Sequence, residues 1–210
     1  LVLTTLHTND AAGAISRLYE LDVEAFQVSS SLIGVLAQRL VRKVCSDCRI
    51  SYSPSNEELA RFGLSSSGDG ITLYRANTIS ADQVETAQST GELCQTCQGS
   101  GYKGRVGVYE VMRITESLQK MISDGAPAEH IKEAAVEEGM QTLLSYSLNL
   151  VEQGYTTLEE VERVTFTDTG LEAELKARRK SVLSCATCNA ELHHDWLDCP
   201  YCLTARFQSS

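Results

Sequence analysis

The sequence predicts an α/β fold that carries two cysteine-rich pieces, and three observations predict it. Apolar, β-branched runs occur at Leu1-Val2-Leu3-Thr4-Thr5 and again at Arg105–Val111. Helical spacing with plausible caps fills much of 10–44 and 115–163. Eight cysteines stand in four CxxC pairs, Cys45/Cys48, Cys94/Cys97, Cys185/Cys188 and Cys199/Cys202, with none left over. A CxxC knuckle puts both thiolates on one small turn, and two such pairs complete a tetrahedron of sulfur around zinc. The expected architecture has an α/β core, a tetracysteine zinc insertion, a C-terminal helical region and a C-terminal zinc ribbon.

In chain order, residues 1–8 read as a strand, apolar at first and then Thr-rich. The chain opens on Leu1 without a basic head, a long apolar stretch or a cleavage site. It therefore reads as a piece that begins inside a strand, not as a secreted precursor. A helix is expected from about Asp10, an acceptable N-cap, with Ala14, Leu18 and Leu21 on one face. A second helix is expected from Ala25 to Val44, because Val28, Leu32, Leu36 and Leu40 repeat every four residues. Its cations Arg39, Arg42 and Lys43 lie towards the C-terminal end, where they suit the helix dipole.

Residues 45–103 form the tetracysteine insertion, around a stretch reading Ser65-Ser66-Ser67-Gly68-Asp69-Gly70. Residues 104–170 hold a return strand and then helices near 115–124, 127–138, 141–153 and 157–163. Pro127 fits a first helical turn, and Thr157-x-x-Glu160 is a capping box. This segment carries five cations against twelve carboxylates, read as a charged and mostly solvated surface. Residues 171–184 are a linker helix with Lys176, Arg178, Arg179 and Lys180 clustered. Residues 185–210 are the zinc ribbon, with Trp196 and Leu197 as a small core. With residues 1–44, these make five segments.

Composition excludes several function classes. Of 210 residues, 42% are hydrophobic and 22% charged, so a sizeable core is affordable and wholesale disorder is not expected. The formal charge of -10 argues against nucleic acid as a partner, since phosphate contacts need a basic face. No apolar run approaches the ~18 residues of a membrane span. Paired thiolates and the missing signal point to a reducing, cytoplasmic setting. The sequence contains no Gly-x-x-x-x-Gly-Lys-Ser/Thr, no nucleophile elbow and no HExxH.

The chemistry-bearing candidates are few. Two zinc ions, one on Cys45, Cys48, Cys94 and Cys97 and one on Cys185, Cys188, Cys199 and Cys202, would be structural, because four thiolates leave no open position for water. His193 and His194 fall inside the second gap and are surplus to a closed site. His7 follows an apolar strand and precedes a helix N-terminus, a place suited to meeting a phosphate. The plain alternative for His7 is an ordinary loop residue.

Leu3-Thr4-Thr5-Leu6-His7-Thr8-Asn9-Asp10-Ala11-Ala12 resembles the histidine box of the type IV pilus assembly and type II secretion ATPases. The likeness continues through Ser30–Arg42, a CxxC pair, a variable insert and a second CxxC. It runs on into Gly99-x-Gly101-Tyr102-x-Gly104-Arg105-x-Gly107-x-Tyr109-Glu110 and ends on Gly154-x-Thr156-Thr157-Leu158-Glu159-Glu160-Val161-x-Arg163-Val164-Thr165. The resemblance implies the C-terminal half of a RecA-like ATPase domain. It implies a cytoplasmic homo-hexamer, peripheral to the inner membrane and not spanning it. That motor would use ATP and Mg²⁺ to drive pilin polymerisation through a platform membrane protein. His7 would sense or orient the γ-phosphate. Arg39 and Arg105 match family positions and are candidates for nucleotide-side or subunit-interface contacts. The phosphate loop and Mg²⁺-binding acids would lie upstream, so this piece alone is not expected to hydrolyse ATP. One departure is Leu143-Leu144-Ser145-Tyr146-Ser147, more apolar than the family's Leu-Arg-x-x-Gly pattern.

Two other readings stand beside pilus assembly. A type II secretion motor would share every motif above, and the C-terminal ribbon favours the pilus branch. From another class, Cys94-Gln95-Thr96-Cys97-Gln98-Gly99-Ser100-Gly101 is a CxxCxGxG unit like those of J-type co-chaperones, which points to a non-catalytic zinc scaffold. The pair at Cys45 and Cys48 lacks both glycines.

Overall fold

The computed structural model describes residues 1–64 and 71–165. Its elements are, in order, α1 (Gly13–Glu20), α2 (Ala25–Ser31), β1 (Gly34–Val44), β2 (Ile50–Tyr52), α3 (Asn56–Arg61), β3 (Leu73–Arg75), α4 (Ala81–Thr90), β4 (Tyr102–Arg113), α5 (Glu116–Ser123), α6 (Ala128–Glu137), α7 (Leu143–Glu152) and α8 (Leu158–Thr165). The expected linker helix, the zinc ribbon and the Ser65–Gly70 stretch lie outside the described residues.

The frame is one long antiparallel ribbon. β1 pairs with β4 from Gly34↔Arg113 to Val44↔Tyr102, with a bulge between Arg42 and Val44. Residues 45–101 are therefore the connection at the tip of a hairpin. A second, short ladder pairs β2 with β3 inside that connection.

Two expectations are corrected here. The helix expected over 25–44 stops at Ser31, and residues 34–44 are strand β1. A repeat of four is also a multiple of two, so Leu36 and Leu40 fall on one face of a strand as readily as on one side of a helix. That face is exposed, at 60% for Leu36 and 50% for Leu40. Residues 1–8 join no ladder among the described residues, and Leu1, Val2 and Leu3 are exposed.

The ribbon's other face carries Val35, Ala37, Arg39 and Val41 opposite Met112, Glu110, Val108 and Val106. Helices cover it in two groups. Ala11, Ile15, Val28, Met112, Leu118, Ile122, Ile131 and Ala135 make one core, gathering α1, α2, α5 and α6 around the end of β4. Val41 and Val108 meet Leu143 and Leu150 of α7 in another. Gly107 lies under the Tyr109 ring, where a Cβ would stand 2.3 Å from Tyr109 Oη.

Helix α7 is apolar because it is buried on two sides. Leu143 and Leu150, seven apart, face the ribbon. Leu144, Leu148 and Val151 face Phe62 and Leu73 of the hairpin-tip segment, in a core completed by Leu158 and Val161 of α8. Each such leucine contributes roughly 1.5–3 kcal/mol. The Ser147 hydroxyl, fully buried, donates to Leu143 O at 2.7 Å. The helix ends on a glycine-terminated turn: Gly154 N–H donates to Val151 O and Tyr155 N–H to Leu150 O, both at 2.9 Å, with Gly154 at φ +73°.

Candidate metal centre and histidine loop

The hairpin brings two cysteine pairs together that lie far apart in sequence. Cys45 follows directly on β1, and its N–H donates to Gly101 O at 2.9 Å, just before β4 begins. The Sγ atoms of Cys45, Cys48, Cys94 and Cys97 all lie within 4.8 Å of one another. Cys45 Sγ is 3.8 Å from Cys94 Sγ, and Cys48 Sγ is 3.5 Å from Cys97 Sγ. Tetrahedral thiolates at 2.3 Å from a metal stand about 3.8 Å apart, so the donor set fits one ion. The knuckles are tied to each other as well: the Thr96 hydroxyl donates to Asp47. Backbone N–H groups of Cys97 and Thr96 aimed at Cys94 bring its pKa down to about 7, which favours the thiolate, the form a metal binds. Burial, reinforced by the neighbouring thiols, pushes Cys48 up. The expected second site, on Cys185, Cys188, Cys199 and Cys202, lies outside the described residues.

Behind the cysteine cluster, arginines fasten the tip segment to the C-terminal helices. The Arg49 guanidinium stacks on the Tyr74 ring at 3.8 Å and donates to Gly154 O at 2.7 Å. Arg75 stacks on Tyr52 at 3.8 Å and pairs with Glu58, reaching Glu159 of α8 at 3.8 Å. Arg61 pairs with Glu162 of α8.

Glu160, on α8, is fully buried and is the hub between α8 and β1. It accepts from Arg42 N–H and Arg42 Nε, both at 2.8 Å, and from Arg163. Burial would raise its carboxyl, but these donors outweigh burial and hold it down at about 2. Arg42 also stacks on Tyr102 at 4.0 Å.

The second candidate centre is the loop that leads into α1. His7 is exposed. The residues after it are fastened one by one. Arg39 Nη2 approaches Thr8 O at 3.3 Å and both Asn9 O and Asn9 Oδ1 at 3.4 Å. Thr8 Oγ1 donates to Asp10 O at 3.0 Å. Asp10, two residues before the N-cap Ala12 and not itself the N-cap expected, accepts from Gly13 N–H at 2.8 Å, and its other oxygen takes Lys132 Nζ at 3.0 Å. Ala11 N–H donates to Glu110 Oε1 at 2.8 Å, and the other oxygen of that carboxylate accepts from Leu143 N–H at 3.2 Å. Burial pushes the Glu110 carboxyl up against the pull of those N–H groups and of Lys132.

Of the residues singled out in the sequence, Arg39 is therefore brought to the His7 loop. Arg105 is exposed and sits opposite Arg42, and strand alternation puts it on the face away from Arg39. Glu110, Lys132 and Glu160 were not singled out in the sequence as buried charges. Alternation along β4 puts Glu110 among the inward positions with Val108 and Met112, which was a readable signal. The burial of Lys132 and Glu160 depends on distant partners.

The structure thus defines an α/β hairpin protein with a four-thiolate metal-site candidate at its tip and a pinned histidine loop at its base. Residues 1–163 match the family described as "Type II/IV secretion system protein", and the chain belongs to that family. It is 44% identical over 162 residues to a type IV pilus assembly ATPase PilB of Thermus thermophilus, covering 77% of this chain and 16% of that protein. It is 40% identical over 165 residues to a type II secretion system ATPase E of Vibrio cholerae, covering 79% of this chain and 29% of that protein. A type IV pilus assembly ATPase PilB of Pseudomonas aeruginosa is 37% identical over 166 residues, covering 79% of this chain and 26% of its own length. The chain spans less than a third of the length of each of these curated relatives. Among the described residues, no helix is long and apolar enough to cross a membrane.

Proposed function

We propose that this chain is the C-terminal half of the RecA-like domain of a hexameric ATPase that powers type IV pilus assembly. In this reading the motor is cytoplasmic and peripheral to the inner membrane, and passes its motion to pilins through a platform membrane protein. His7 orients or senses the γ-phosphate of ATP bound with Mg²⁺. Zinc on Cys45, Cys48, Cys94 and Cys97 is structural, since a closed four-thiolate shell supplies folding energy and no reactive position. Arg39 acts on the nucleotide side through the His7 loop.

The observation that carries the reading is the His7 loop itself. An exposed imidazole stands beside a backbone fastened at four consecutive residues, as a side chain needs if it is to meet a transferring phosphoryl group in one geometry. The test uses the full-length protein. Replacing His7 with Ala is expected to slow ATP hydrolysis roughly 10²–10³-fold while changing nucleotide affinity much less. Equal losses of ATP and ADP binding would make His7 structural. The chain by itself, having no phosphate loop, is expected to show no turnover. The 40% identity to a secretion ATPase keeps a second reading, pseudopilus assembly. Loss of secretion with normal pili in cells carrying His7→Ala would favour it.

A further inference from the structure

We infer that Glu110, together with the Asp10–Lys132 pair, is a positioning device for His7 and sets the histidine loop against the first turn of α7. The inference rests on the reading of His7 given above.

Glu110 sits where the strand pattern calls for an apolar side chain. Its neighbours on the inner face of the ribbon are Val108 and Met112, and all three are fully buried. A buried carboxylate is costly, and this one makes no link that ordinary packing of β4 requires. Both its oxygens go to backbone N–H groups of other segments. One belongs to Ala11, 99 residues earlier, and the other to Leu143, 33 residues later. A Val or Leu there would fill the space but leave both donors unpaired. The carboxylate thus joins the segment that leads into α1 to the first turn of α7.

Ala11 is four residues from His7, and the intervening backbone has little freedom. Asp10 is held by Lys132 and Gly13 N–H, and Thr8 closes a turn onto Asp10 O. Arg39 reaches the carbonyls of Thr8 and Asn9. Errors at Ala11 therefore propagate to His7 as a displacement of the whole turn, not as a local loosening. A misplacement near 1 Å of a reacting group can cost about 10²-fold in rate.

The experiment is a double-mutant cycle on ATP turnover by the full-length protein, with His7→Ala, Glu110→Gln and both together. Gln keeps the volume but presents an NH₂ to one of two N–H donors. Glu110→Gln is expected to lower kcat at least about 10-fold, with KM for ATP within about 3-fold. The double variant is expected to be no slower than His7→Ala alone, because the effect of Glu110 passes through His7. Normal kcat in Glu110→Gln, or multiplicative losses in the double variant, would overturn the inference while leaving the role of His7 intact. If His7→Ala does not slow turnover, the reading of His7 fails, and this inference with it. If Glu110→Gln does not assemble, Lys132→Met releases Asp10 from the same turn and must show the same dependence on His7.

Discussion

Glu160 shows how much a single side chain carries here. Its carboxylate is buried, and its donors come from Arg42 on β1 and Arg163 one turn further along α8. Breaking a buried ion pair costs about 3–5 kcal/mol, but both arginines are about half exposed and can turn to water. Glu160→Gln is therefore expected to cost about 2 kcal/mol at pH 7, measured by denaturant unfolding. The pH dependence has a definite sign. The folded carboxyl titrates at about 2, against about 4.3 in an unfolded chain, so its stabilisation is complete above the unfolded value. It is lost as pH falls towards the folded value. The gap between the wild type and Glu160→Gln should shrink steadily from about pH 5 to pH 2. A gap that stays constant over that window would mean that the charge is not what Glu160 contributes.

At the scale of elements, α7 and its terminal turn are the critical junction. Gly154 has φ +73°, and a Cβ there would meet Arg49 Nη1 at 2.8 Å and the Tyr74 ring at 2.9 Å. Gly154→Ala should cost about 2 kcal/mol, from left-handed backbone strain together with displacement of Arg49, as read by thermal unfolding. A loss well under 1 kcal/mol would show that the turn relaxes freely. How far the elements could be read from sequence follows the range of the forces that fix them. Helices α5 to α8 carry their signals locally, and they stand within two residues of their expected bounds, with Pro127 at the N-cap of α6 instead of in its first turn. The Thr157 box closes by half: Thr157 Oγ1 accepts from Glu160 N–H, while the Glu160 carboxylate goes to Arg42 and Arg163. Strand β1 did not carry its signal locally, because its partner is β4, whose first residue lies nearly sixty residues on. Its four-residue apolar repeat fitted a helix equally well until that pairing was known. The His7 loop was legible as a motif, and its fastening was not, since Glu110 and Lys132 reach it from far along the chain.

Over the whole molecule, the hairpin tip and the C-terminal helices share one core. Phe62 and Leu73 from the tip pack against Leu144, Leu148, Val151, Leu158 and Val161. Loss of a metal held by Cys45, Cys48, Cys94 and Cys97, when a chelator strips it, should therefore be felt beyond the cysteines. Hydrogen exchange is expected to quicken in α7 and α8, while α5 and α6, which pack in a separate core, keep their protection. Unchanged exchange in α7 after metal loss would show that the tip holds its packing without the ion. The shared core also bears on how the protein can be cut. Because β1 and β4 are already neighbours in register, joining Val44 to Tyr102 through a two-residue turn looks geometrically simple. The trimmed protein would nevertheless bare a continuous apolar strip along α7 and α8 and strand Glu159 and Glu162 without Arg75 and Arg61. Such a deletion should produce an aggregating protein unless that strip is repainted with polar side chains. The segment that looks most like a removable accessory in the primary structure is the lid of one of the molecule's three cores.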